Sequence, residues 1–299
     1  MISRSFRLIW INSLLKSLIK IMDWLFDPLN YEFMRLALIA GLLVGILCPI
    51  VGSVLIVQRL AMLGDVVAHA VLPGLAIAHF LGINLLLGAF IFGIISTFLI
   101  AWIQLQTRVK ADTAMALTFA SFFALGVTLL TILNSSLDLE DLLFGNILSI
   151  TLGDIREMLA IAIAILLSIK LFYKELLFFT FDRQGAEAIG LPVKGLNLGL
   201  MAGITLTIIA SMKAVGVILV IALMVGPAAT AYLFVKELHW MMILGAIFGA
   251  IASTLGLYLS YYLNIPSGPA IALTVFAGFT LALGWTLLYA RINRDPINS

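Results

Sequence analysis

Asp65 and His69 lie four residues apart in the run Met62-Leu-Gly-Asp-Val-Val-Ala-His-Ala-Val-Leu-Pro-Gly74, which is otherwise apolar. On a helix this spacing stacks both side chains on one face with Cβ atoms roughly 5–6 Å apart, so a carboxylate oxygen and an imidazole nitrogen can grip one cation. Placing a carboxylate in hydrocarbon costs on the order of 3 kcal/mol, and such a group therefore faces a cavity, a partner or an ion path. Two plainer roles fit the same residues. Asp65 can cap a helix start at the membrane edge, and His69 can donate a hydrogen bond to a neighbouring helix.

Other residues able to do chemistry are few. Asp138, Glu140, Asp141, Asp154 and Glu157 crowd one segment, five of the fifteen acids, and read either as an acidic mouth that attracts divalent cations or as a solvated loop. Pro73 and the pair Gly226-Pro227 fall inside apolar runs, where a proline withdraws a donor from the helix ladder and makes each a candidate break or gate. Cys48 is the single cysteine, so the chain builds no internal disulfide framework or thiolate metal site. The sequence has no Gly-xxxx-Gly-Lys-Ser/Thr loop to cradle ATP phosphates, so ATP-driven work needs a separate subunit. The chain reads as a transport subunit and not as an enzyme.

Membrane helices must position these groups. Hydrophobic residues make up 63% and charged residues 11% of the 299, with a net charge of +2 and a mean hydropathy of +1.18. Soluble domains carry about 25% charged residues, and the basic residues here form no stripe suited to nucleic acid. Apolar spans fall near 36–57, 64–81, 85–105, 114–134, 156–174, 196–212, 215–235, 240–262 and 269–290. The expected fold is an all-α polytopic bundle of eight or nine transmembrane helices, with a permease domain over 35–291 and a tail over 292–299. Residues 1–34, with Arg4, Arg7, Lys16 and Lys20 among large apolar residues, suit an amphipathic segment at the lipid interface. Alternation puts Arg59, Arg108, Lys110, Lys170, Lys174, Arg183, Lys194, Lys236, Arg291 and Arg294 on one side, which the positive-inside rule makes cytoplasmic. The motifs Gly41-xxx-Gly45, Gly199-xxx-Gly203 and Gly245-xxx-Gly249 predict close helix packing.

The run Gly64-Asp65-Val-Val-Ala-His69-Ala-Val-Leu-Pro73-Gly74 resembles the signature of the membrane subunits of manganese, zinc and iron ABC importers, the ABC-3 family, whose Asp and His are viewed as intramembrane metal ligands. The loop 175–194 contains Ala186-Glu187-Ala-Ile189-Gly190-Leu191-Pro192, which is similar to the coupling helix that seats in the family's ATPase, and Asp182 can cap that helix. Residues 213–231, with Gly226 and Pro227, resemble the family's late helix. The resemblance implies a type II importer fold, two copies of the chain around an axis, cytoplasmic ATPase subunits and an extracytoplasmic metal-binding protein. It further implies a multi-pass protein of the bacterial cytoplasmic membrane, with no permanently bound cofactor and a transported divalent metal, manganese before zinc or iron. The alternative from the residues alone is a stand-alone secondary transporter, proton-coupled through Asp65 and His69.

Overall fold

A computed structural model describes residues 26–133, 145 and 147–292. The expected segment 1–34 lies mostly outside these residues, as do Asp138, Glu140, Asp141 and the tail beyond 292. Among the described residues there are no strands and twelve α-helices. They are α1 (Glu32–Val57), α2 (Leu63–Ala70), α3 (Leu72–Leu81), α4 (Leu85–Gln106), α5 (Ala111–Ile132), α6 (Leu152–Leu171), α7 (Tyr173–Phe181), α8 (Arg183–Ala188), α9 (Val193–Val215), α10 (Val217–Phe234), α11 (Leu238–Leu263) and α12 (Ser267–Ile292). Single 3-10 turns occupy Asp27–Asn30 and Ile147–Ser149.

Among the described residues eight spans are long and apolar enough to cross a membrane, with α2 and α3 together making one of them. The ninth expected span, near 156–174, becomes α6, whose 20 residues reach about 30 Å. It carries Asp154, Arg156 and Glu157 in its first two turns and Lys170 at its end, too many charges to rank with the other eight. Its start is a capping box. The Thr151 hydroxyl accepts from the Asp154 N–H, and the Asp154 carboxylate accepts from the Thr151 N–H at 3.1 Å.

α1 packs chiefly on α11 and α10, while α2, α3, α4 and α5 pack on one another, with α9 touching both groups. Lipid gives helices no hydrophobic reason to associate, so contact depends on how closely backbones fit. Gly41-xxx-Gly45 and Gly245-xxx-Gly249 meet each other across the α1–α11 seam. A Cβ at Gly45 would stand 2.7 Å from the Gly249 carbonyl oxygen. Pro49, which the sequence reading passed over, lies against Gly245 and Gly249 and withholds the helical donor of the Gly45 carbonyl. Gly199-xxx-Gly203 differs from expectation. Nothing lies within 4 Å of where either Cβ would be, and both residues face a groove of about 530 Å³ between α6 and α9.

Side chains tie each end of the bundle. The Tyr261 hydroxyl donates to the Asp27 carboxylate at 3.1 Å at one end, and Gln58 donates to the Thr180 hydroxyl at 3.4 Å at the other.

Candidate metal centre

Asp65 and His69 occupy the first two turns of the Leu63–Leu81 span, whose apolar window is 72% buried, the largest share of the eight. His69 Nε2 stands 3.4 Å from Asp65 Oδ1. With metal–ligand bonds of about 2.1 Å, two atoms so spaced subtend roughly 105–110° at a shared ion, an angle that neighbouring ligands commonly adopt. The Asp65 side chain is 37% exposed and the His69 side chain 16%, so the acid opens toward free space while the ring is held from behind.

Two phenylalanines hold it. Phe119 and Phe123 of α5 stack with centroids 5.9 Å apart, and each meets the imidazole edge-on, at 5.1 and 5.5 Å. Neither plainer role of the pair is realised. α2 has no side-chain cap at its start, so Asp65 is not spent there. His69 Nδ1 is buried with no hydrogen-bond partner, so the ring is no interhelical donor through that atom.

The local backbone follows from Pro73. Val71 keeps helical angles (φ −75°, ψ −16°) between α2 and α3, and its N–H still reaches the Val67 carbonyl at 3.2 Å. Pro73 has no N–H to offer the His69 carbonyl four residues earlier, so the ladder lapses one turn beyond the pair. α5 approaches this break through Gly126, where a Cβ would come within 2.6 Å of the Leu72 Cβ and 3.1 Å of the Pro73 Cδ. Pro227 behaves differently. α10 runs unbroken through Gly226-Pro227, with the Thr230 hydroxyl donating to the Gly226 carbonyl at 2.8 Å, so no break appears there.

In the expected coupling segment, Asp182 caps α8 by accepting the Gly185 N–H at 2.8 Å. Gly190, at φ +83°, turns the chain out of the helix, and Leu191 N–H closes back on the Ala186 carbonyl at 3.0 Å. Ala186 is fully buried in a small core with Val54, Phe179, Val193 and Leu238. Glu187, Gly190 and Pro192 are exposed, Leu191 is half-buried, and Ile189 is 68% exposed, an apolar tip on an otherwise anchored turn.

Of the expected acidic mouth, Asp138, Glu140 and Asp141 lie outside the described residues, and only Asp154 and Glu157 fall within them. Asp154 serves the α6 cap, and Glu157 is exposed one turn on. No cluster of three His, Cys, Asp or Glu residues able to hold a metal occurs among the described residues, so Asp65 and His69 stand as a pair with no third such group beside them. Phe119, Phe123 and Gly126 were missed from the sequence. Their signal was a Phe pair at helical spacing followed by a glycine one turn on, but nothing local says which helix that face meets.

The model of the ABC 3 transport family matches residues 30–285. The manganese transport system membrane protein MntC of Listeria monocytogenes is 40% identical over 267 residues, covering 88% of this chain and 95% of that protein. A chelated iron transport system membrane protein, YfeD of Yersinia pestis, is 36% identical over 257 residues, covering 86% of each. Among solved structures, PsaBC from Streptococcus pneumoniae in complex with a Fab matches with a TM-score of 0.79 and 38% identity, over 88% of this chain and 95% of that one.

Proposed function

Because the chain belongs to the ABC 3 transport family, we propose that it is the membrane-spanning permease subunit of an ATP-driven importer of a divalent transition metal, manganese first. The observation that carries this reading is the Asp65–His69 pair, 3.4 Å apart in the most buried span, with no cap and no interhelical hydrogen bond to explain it. A carboxylate and an imidazole suit manganese, iron or zinc, and the absence of thiolate disfavours copper(I). The names of the relatives, manganese for MntC and chelated iron for YfeD, fit the same range.

Two ligands are too few for a transported ion, and a second copy of the chain supplies two more across an axis. The outer face of α5 supports this, since Ala116, Ala120, Ser121, Ala124 and Thr128 are exposed and small beside the phenylalanines that back His69. Separate ATPase subunits dock on α8, with Ile189 entering their groove and Glu187, Gly190, Leu191 and Pro192 shaping the turn, while buried Ala186 passes the movement to α1, α7, α9 and α11. Pro73 provides the hinge next to the metal, and Gly226-Pro227 a point where α10 can bend. An extracytoplasmic binding protein delivers the ion at the opposite face, where Asp138, Glu140, Asp141 and Glu157 attract it.

The test is ATP-dependent manganese uptake by proteoliposomes holding the chain and its ATPase subunits. Asp65→Ala and His69→Ala assemble normally and take up no metal. Normal uptake by both variants, or uptake driven by a proton gradient without the ATPase, overturns the reading.

A further inference from the structure

At the end of the bundle that the basic residues assign to the cytoplasm, a cavity of about 380 Å³ lies among the α1–α2 turn, the second half of α4, the α7–α8 junction and the start of α9. Its polar lining includes Gln58, Arg59, Gln104, Thr180, Arg183 and Asn197, and no carboxylate lines it. Leu63 forms part of the same wall, two residues before Asp65. The cavity therefore touches both the helix that bears the candidate metal ligands and the element expected to meet the ATPase.

Two arginines, Arg59 and Arg183, line this space with no acid beside them. Among the described residues no Asp or Glu pairs with Arg59 or Arg183. Asp182, the nearest acid in sequence to Arg183, is turned to the Gly185 N–H. The Arg183 Cζ sits 5.8 Å from the Phe179 ring centroid, a cation–π contact that holds the guanidinium itself beside one ring face. Arg59 is held at φ +58°, a left-handed backbone that long side chains rarely adopt and that glycine or asparagine would accept more readily. Such a backbone is held at a cost, and here it belongs to a residue that shares its cavity wall with amide and hydroxyl side chains.

We propose that this cavity binds an oxyanion of the phosphate class, gripped by the forks of Arg59 and Arg183. Guanidinium groups bind phosphate oxygens through paired charge-assisted hydrogen bonds, and the surrounding amides add further donors. Bound there, the anion bridges the α1–α2 turn and the α7–α8 junction, which the Gln58–Thr180 hydrogen bond already links. It clamps the start of α2 to the coupling element and removes two positive charges from the inner side of a cation path. Free phosphate and the headgroup of an inner-leaflet phospholipid offer the same chemistry.

The experiment follows thermal unfolding of the full-length chain, delipidated in detergent, in two arms. One titrates inorganic phosphate against chloride at matched ionic strength. The other compares micelles doped with phosphatidylglycerol or with phosphatidylcholine. The expected result is a rise of a few degrees in melting temperature in at least one arm, because a ligand that binds only the folded state stabilises it. The rise is at least halved in Arg59→Gln and in Arg183→Gln, and it is retained in Lys194→Gln, which lies outside the cavity. A response to phosphate identifies a free anion, and a response to phosphatidylglycerol alone identifies a headgroup. If either glutamine variant fails to fold, Arg59→Lys, which keeps the charge and loses the fork, takes its place with a reduced rise. No response of the unaltered chain in either arm, or equal responses in the unaltered chain and the variants, overturns the site.

Discussion

Gly126→Ala tests whether α5 holds His69 in place through its contact at the helix break. The added Cβ would stand 2.6 Å from the Leu72 Cβ, against about 3.4 Å for ordinary contact, so α5 must withdraw from α3 by roughly 0.8 Å. Neither neighbour can yield easily, because the contact atoms are a Cβ and a proline ring. Overpacking of this size costs about 1–3 kcal/mol. The same helix carries Phe123 three residues back and Phe119 seven residues back, whose rings lie 5.5 and 5.1 Å from the imidazole. The withdrawal therefore loosens the wall behind His69 and lets the 3.4 Å spacing to Asp65 drift. The assay pairs thermal unfolding with manganese uptake in proteoliposomes containing the ATPase subunits. The variant is expected to melt several degrees lower and to show a raised KM for manganese while still assembling. An unchanged melting temperature together with an unchanged KM refutes the reasoning, because it would mean that α5 neither presses on the break nor steadies the ring.

Three further outcomes follow from particular contacts. Gly190→Ala meets no neighbour within 4 Å but forces an L-residue to φ +83°, at about 1–2 kcal/mol, so it should raise ATP hydrolysed per metal transported while leaving ATPase binding intact; an unchanged ratio speaks against a coupling role. Ile189→Asp, at a tip that is 68% exposed, should weaken co-purification of the ATPase without lowering the melting temperature of the isolated chain, and full co-purification rejects the docking surface. Thr151→Ala removes one half of the α6 capping box and should cost about 0.5–2 kcal/mol of stability with manganese KM unmoved; a shifted KM would give the Asp154 end of α6 a part in metal capture.

The membrane class, most helix positions and the Asp65–His69 pair were legible in the sequence because each rests on local information. Apolar runs of membrane length and an i, i+4 polar pair need no knowledge of neighbours. The capping of α8 by Asp182 was equally local, a short acid placed three residues before the N–H it accepts. What depends on which helix lies opposite was not legible. Gly199 and Gly203 share their spacing with Gly245 and Gly249, yet one pair opens on a groove and the other packs on Pro49 and Gly45, and no property of either motif distinguishes them. Pro73 and Pro227 are alike as residues. One coincides with a lapse in its helix and the other does not, for α10 runs on through Pro227 although that proline withholds the donor of the Leu223 carbonyl. Phe119 and Phe123 read as ordinary lipid-facing or core residues until α5 is placed against α2. The charge of α6 was visible, but the capping box that Thr151 and Asp154 form at its start was not read from it.

Metal content of the purified complex addresses the shared-ion proposal most directly. Manganese titrated into the assembled transporter and read by electron paramagnetic resonance should reach one tightly held ion per two copies of this chain, with nitrogen couplings that disappear in His69→Ala and an ion that is lost in Asp65→Ala. Retention of the same nitrogen-coupled ion in both variants, or one independent ion per chain, would contradict a site built from Asp65 and His69 of two copies.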